Sequence, residues 1–189
     1  MYNDDDYINF RDGIFALNTR RFGSVAEIMI KKLFILEPSE NNTYDLYDAS
    51  KELRVEVKFS RATKNNNEII QDANVIEQCL QASDLRNRSL TSNEVHLFNF
   101  DSNIQQVKTR YFDFLYYGLF FIDCIEIYGV TSEIVHTSLP GYSDRQHAGN
   151  LGEGQFHINN NSIDFHRQNC LIKVLTYKEL FNLFRTEQK

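Results

Sequence analysis

Val55, Val57 and Phe59 alternate with Glu56 and Lys58 along Leu53–Phe59. A period of two marks a strand with one face on a core and the other free for polar groups. Thr43–Asp48 reads as a second short strand and the polar Ala49–Glu52 as a turn, so the pair predicts a β-hairpin. Upstream, apolar residues recur at Val25, Ile28, Met29 and Leu33, which predicts a helix from Ser24 to about Leu36. Its start, Ser24-Val-Ala-Glu27, has capping-box form. Ile8–Leu17 has weaker helical character.

Downstream, Glu68–Ser83 predicts a helix with Ile69, Ala73, Ile76 and Leu80 on one side. Glu94–Phe100 and Asp123–Val130 predict strands, and the aromatic-rich Gln105–Phe121 fits helix or strand. Ser162–Val174 predicts one or two strands, and Thr176-Tyr-Lys-Glu179 opens a final helix with a second capping box. This succession predicts a mixed central β-sheet flanked by helices, α/β or α+β. The two prolines, Pro38 and Pro140, and the lack of repeats or low-complexity linkers leave one domain over residues 1–189.

Composition narrows the class. Hydrophobic residues make up 42% and aromatics 13%, which argues for a globular core rather than disorder. No apolar run approaches the ~20 residues of a membrane span. The acidic start Met1–Asp6 lacks the basic and apolar regions of a signal peptide, so a cytoplasmic protein is expected. Cys79, Cys124 and Cys170 are odd in number and far apart, the pattern of buried free thiols rather than of a disulfide or zinc framework. The net charge of −6 is unfavourable for nucleic-acid binding, so any such role rests on where the charges sit.

The hairpin carries the candidate chemistry. If Asp48 faces Leu53 across the turn, Asp45 faces Glu56, and Glu56 shares a strand face with Lys58. Cross-strand neighbours on one face lie about 5 Å apart. Two carboxylates and an ammonium then converge, an arrangement that suits a hard divalent cation held by oxygens. The bland alternative is a solvated hairpin with a Glu–Lys face. Two features oppose it: the apolar opposite face, and the polar, basic run Ser60-Arg-Ala-Thr-Lys-Asn-Asn-Asn67 that follows at once.

An Asp followed by Glu-x-Lys on the next strand resembles the PD-(D/E)xK nuclease motif, best known from type II restriction endonucleases. Tyr44 stands where the leading proline would be. The resemblance covers about fifteen residues closely and the flanking helices in outline. It implies a restriction-endonuclease-like core in which a helix precedes the ligand-bearing hairpin, and a helix and further strands follow. It implies Asp45 and Glu56 as Mg²⁺ ligands and Lys58 as the catalytic lysine, which orients or activates a water and offsets phosphate charge. The substrate would be double-stranded DNA. One site per chain implies a homodimer for cutting both strands. Some relatives use a Glu from the first helix, which makes Glu27 a further candidate. Its alternative role is to cap that helix and pair with Lys31.

Ser60, Arg61 and Lys64 are candidates for the phosphate backbone. The glycine-rich stretch Gly141–His157 holds side chains able to read base edges: Arg145, Gln146, His147, Asn150, Gln155 and His157. A long polar loop is functional or disordered. His136, His147, His157 and His166 lack the spacing of a zinc site. Gln78 is read as a surface or packing residue. Two other functions stay open: a structure-specific or repair nuclease of the same superfamily, and a non-catalytic nucleic-acid- or protein-binding module.

Overall fold

Phe114-Leu-Tyr-Tyr-Gly-Leu-Phe120 is apolar or aromatic throughout, so a strand made of it must be covered on both faces. The computed structural model describes residues 4–146 and 150–185, the side chains of Gln146, Asn150 and Leu151 excepted. Nine strands are described: β1 (Glu37–Pro38), β2 (Leu46–Asp48), β3 (Leu53–Arg61), β4 (Asp101–Val107), β5 (Phe114–Phe120), β6 (Ile125–Thr131), β7 (Ser143–Gln146), β8 (Asn150–Asn159) and β9 (Leu171–Leu175). Six form a mixed sheet in the order β1-β2-β3-β5-β6-β9, and β4-β8-β7 form a smaller one. β3 and β5 run parallel; the other neighbours in the large sheet are antiparallel. The helices are α1 (Asp4–Ala16), α2 (Thr19–Phe34), α3 (Val75–Ser83), α4 (Leu85–Arg88), α5 (Ser132–Ser138), α6 (Ile163–Asn169) and α7 (Tyr177–Arg185).

The central strand β5 separates two cores. Tyr116 and Phe120 face a layer made by α1, α2 and α7, where Phe22, Met29, Ile30 and Leu180 are fully or almost fully buried. Leu115, Tyr117 and Leu119 face the smaller sheet and α6, packing with Ile104, Phe156, Ile158 and Ile163. Each such side chain stabilises by about 1.5–3 kcal/mol on burial. The expected mixed sheet flanked by helices is therefore present. Its second face is covered largely by another sheet.

Polar groups in the second core pair with one another, except His166 Nε2, which is buried without a hydrogen-bond partner. The Tyr117 hydroxyl and His166 Nδ1 are 2.8 Å apart. Burial pushes the His166 imidazole down to about 4, so it is neutral. Arg167 grips Glu126 with two hydrogen bonds of 2.7 and 3.0 Å, and Tyr128 donates to the same carboxylate.

Several elements differ from their sequence expectation. Helix α2 begins at Thr19, because Asn18 accepts the Arg21 amide at 3.1 Å. The Ser24–Glu27 capping box is thus mid-helix and caps nothing. The helix expected over Glu68–Ser83 forms only from Val75, since Asn74 accepts the Gln71 amide and ties back Ile69 O and Glu68. Its apolar residues Ile69, Ile76 and Leu80 face solvent, at 74, 74 and 68% exposure. Glu94–Phe100 is a turn rather than a strand: Glu94 accepts the Thr91 amide, and Asn160 donates to Val95 O and Phe98 O. Half of Ser162–Val174 is helix α6, and α5 went unpredicted. Cys124 and Cys170 are buried and free as expected, but Cys79 is exposed. The second capping box holds, with Thr176 Oγ1 accepting from Glu179 N and Glu179 accepting from Thr176 N. No helix among the described residues is long and apolar enough to cross a membrane.

Gly118 is where β5 and β6 approach most closely. A Cβ there would lie 2.0 Å from Glu126 O and 2.6 Å from the Phe59 ring. Backbone cannot yield as a flexible side chain can, so Gly118→Ala is expected to cost about 3 kcal/mol or more. The check is the urea midpoint; an unchanged midpoint would contradict this packing.

Candidate active site

The hairpin register is set at the turn. Asp48 Oδ1 accepts from Ser50 N (3.1 Å), Ser50 Oγ (2.6 Å) and Lys51 N (3.2 Å), and Glu52 takes the left-handed conformation. An aspartate that binds its own turn is what closes a loop this short. Asp48 then pairs with Leu53, Tyr47 with Arg54 and Leu46 with Val55. One step on, the Asp45 amide donates to Val55 O at 3.1 Å, which puts Asp45 opposite Glu56 as the sequence implied. Arg54 fixes the far strand by a two-pronged contact with Asp113, 2.9 and 2.7 Å.

Strand β2 ends there while β3 runs on to Arg61, so the second half of β3 has no strand partner on that edge among the described residues. The Asp45 side chain takes over, and its Oδ2 accepts the Val57 amide at 2.8 Å. Lys58 Nζ reaches across the gap to Glu56 Oε1 at 2.5 Å and Asp45 Oδ2 at 3.5 Å. Both carboxylates therefore lie within the span of one ammonium. Glu27 joins from α2: half-buried, its carboxyl is raised by burial and then by the Asp45 charge, with Lys58 offsetting part. No Glu27–Lys31 ion pair forms among the described residues and Glu27 is mid-helix, so it neither caps α2 nor pairs with Lys31.

The electrostatics describe a cluster short of positive charge. Burial, aided by Asp45 and Glu27, pushes the Glu56 carboxyl up to about 7 although Lys58 opposes it. Burial works against the Lys58 ammonium, yet the carboxylates of Glu56 and Asp45 outweigh it and hold its pKa above the ordinary lysine value. Lys58 thus stays protonated at neutral pH. One ammonium among three carboxylates leaves room for a further cation with hard-oxygen preference. Among the described residues no group of three or more His, Cys, Asp or Glu gathers closely enough to hold a metal unaided. Two carboxylates fit Mg²⁺ nevertheless, because that ion keeps several waters and takes phosphate oxygens as ligands.

Lys58 and Glu27 line a groove of about 670 Å³ along the unpaired edge of β3, with Asp45 and Glu56 behind Lys58 rather than in its lining. One wall is α2, with Arg20 and Glu27; the other is β4, with Asn103, Gln105 and Gln106. Of the expected backbone contacts, Ser60 and Arg61 line this groove. Lys64 does not: its ammonium lies 4.0 Å over the Phe98 ring and 3.9 Å from Glu94, beside a separate pocket. Gln78 is buried in that pocket on Asn66 and Glu68, away from the carboxylates.

The expected base-reading loop is a β-hairpin, β7–β8, built onto β4. Arg145 is exposed on β7. Gln146 and Asn150 pair as backbone, and His147 lies outside the described residues. His157 is engaged by Asp101 at 2.8 Å. Gln155 accepts from Asn103, a groove residue, at 3.2 Å. Gln155 is thereby linked to the groove through its side chain, and His157 is the strand partner of the same Asn103. The β4 amides that line it were missed, because they belong to a strand offset from the one expected over Glu94–Phe100. No protein-family model, curated protein or solved structure matches this chain.

The raised Glu56 pKa has a consequence for stability. The native state holds that proton more firmly than the unfolded chain, whose carboxyl titrates near 4.5. Stability therefore falls as pH rises from about 4.5 to about 7 and stays low above, by at most about 3 kcal/mol. In EDTA, Glu56→Gln is expected to melt several degrees above the parent at about pH 8, with the gap closing by about pH 5. A gap independent of pH would contradict the burial argument.

Proposed function

We propose that this chain is a Mg²⁺-dependent endonuclease that hydrolyses phosphodiester bonds in double-stranded DNA at a specific sequence, in the manner of a type II restriction endonuclease. The observation that carries this reading is the convergence of Asp45, Glu56 and Lys58 on an open strand edge, with Glu27 beside them. The order of helix, ligand-bearing hairpin, helix and further strands agrees with the PD-(D/E)xK resemblance.

In this mechanism Asp45 and Glu56 would hold Mg²⁺, which would supply Lewis acidity toward the phosphate and acidify a bound water. Asp45 is fixed in place by the Val57 amide, so its free oxygen has a set direction. Lys58, held charged between two carboxylates, cannot accept a proton from water near neutral pH. Its role is to orient the attacking water and to offset the charge that builds on the phosphate. Glu27 adds to the negative potential that recruits the cation. Cutting both strands takes two such sites, and so two chains about a twofold axis.

Incubation with plasmid and Mg²⁺ tests the proposal. Discrete fragments support a sequence-specific enzyme, nicking or a smear supports a structure-specific or general nuclease with this core, and uncut plasmid rejects catalysis. Lys58→Ala is expected to lower cleavage at least about 100-fold while duplex binding survives. Mg²⁺ is expected to raise the melting temperature of the parent but not of Glu56→Gln, a readout that does not depend on turnover.

A further inference from the structure

Beyond the carboxylates, the same groove holds a second charged feature of opposite sign. Arg61 ends β3 and Arg88 ends α4, and both line the groove. Neither makes an ion pair with any described carboxylate. Arg61 is held as a fixed group: Nη2 donates to Leu17 O at 2.5 Å and Ile14 O at 3.3 Å, and the guanidinium lies 4.1 Å over the Phe22 ring. Its Nε is buried and has no hydrogen-bond partner. Burial and then the Arg88 charge lower its pKa, with Tyr177 offsetting part.

A half-buried guanidinium normally pairs with a carboxylate, since a charge withdrawn from water without a partner is costly. This chain has more acids than bases, with 26 against 20, so a partner was available to be placed there. Arg61 commits Nη2 to the Ile14 and Leu17 carbonyls and has Nε buried, so its Nη1 and the exposed Arg88 are what remain for a groove lined also by Ser60, Thr63 and Asn103. Guanidinium forks suit the oxygens of a phosphate, which they bind in pairs. Arg61 lies three positions beyond Lys58, about 10 Å along β3, with its side chain on the opposite face, toward Ile14, Leu17 and Phe22. The two residues would therefore meet different phosphates of a backbone that crosses the strand edge, not a single phosphate.

We propose that Arg61 and Arg88 form a phosphate seat that holds the nucleic-acid backbone beside the phosphate presented to Lys58, and so set the position of the strand along the β3 edge. The identity of the anion as a nucleic-acid phosphate rests on the nuclease reading above; the seat itself rests on the unpaired guanidiniums. Both arginines are positioning residues in this account.

The test is fluorescence anisotropy of a labelled DNA duplex in EDTA, titrated from about 50 to 200 mM salt. Arg88→Ala is expected to weaken binding about 3- to 10-fold at low salt and to reduce the slope of log affinity against log salt by about 1. Arg88→Lys, which keeps the charge, is expected to retain the slope. Arg86→Ala, on the same helix but paired with Asp84 and exposed, is the control and leaves both unchanged. Arg61→Ala is expected to act as Arg88→Ala does; should loss of its contacts with Phe22 and α1 unfold the protein, Arg88→Ala decides alone. An unchanged slope in Arg88→Ala, with Mg²⁺-dependent cleavage by the parent intact, overturns the seat and spares the nuclease. A lowered slope with uncut plasmid keeps the seat and rejects the nuclease. A parent protein that binds no duplex overturns both.

Discussion

Strand β3 is paired along its whole length on one edge and for only its first residues on the other. Everything of chemical interest in the molecule depends on that asymmetry. A longer β2 would cover the edge with backbone and close the groove. A shorter β3 would not carry Lys58 and Arg61 out to where β2 has ended. The register of β2 is in turn set by Asp48, whose side chain binds the turn and fixes where pairing starts, while at its other end the Asp45 side chain takes the Val57 amide in place of backbone. The exposed edge is one of the few places in a sheet where polar side chains can gather beside unpaired backbone without a competing ladder.

Charge is distributed along this edge with a purpose that the total of −6 conceals. At the hairpin end sit three carboxylates with one ammonium; at the far end sit guanidiniums with none of the acids. An extended polyanion brought with a divalent cation would satisfy both ends at once. Burial penalises the charge at both ends, raising the Glu56 pKa and lowering that of Arg61.

The legible parts of the fold were those where a local rule and the global packing agree. The alternation at Val55, Val57 and Phe59, the turn chemistry of Asp48 and the Thr176–Glu179 capping box needed only neighbours in sequence. The Asp45–Glu56 opposition followed from them by counting. What was not legible depended on partners far along the chain. Glu94–Phe100 has strand composition, but Asn160 holds it as a turn from the other side of the smaller sheet. Ser24–Glu27 spells a cap, but Asn18 had already started the helix. Ile69, Ile76 and Leu80 keep a helical period that finds no core, because α3 is short and its inward residue is Gln78 rather than one of them. The paired guanidiniums of Arg61 and Arg88 could not be foreseen, since they come from separate elements joined only by the fold.

Asp45 is both a candidate ligand and a structural hydrogen-bond acceptor, for the Val57 amide has no other partner on that side of the sheet. Selection on the two roles is separable. In a lineage that had abandoned catalysis, Lys58 and Glu27 would be free to drift, whereas position 45 would still need an oxygen for that amide, which asparagine supplies and alanine does not. A retained Asp or Asn at this place is therefore a signature of the hairpin, and on the proposed reading it is the company of Glu27, Glu56 and Lys58 that would mark catalysis.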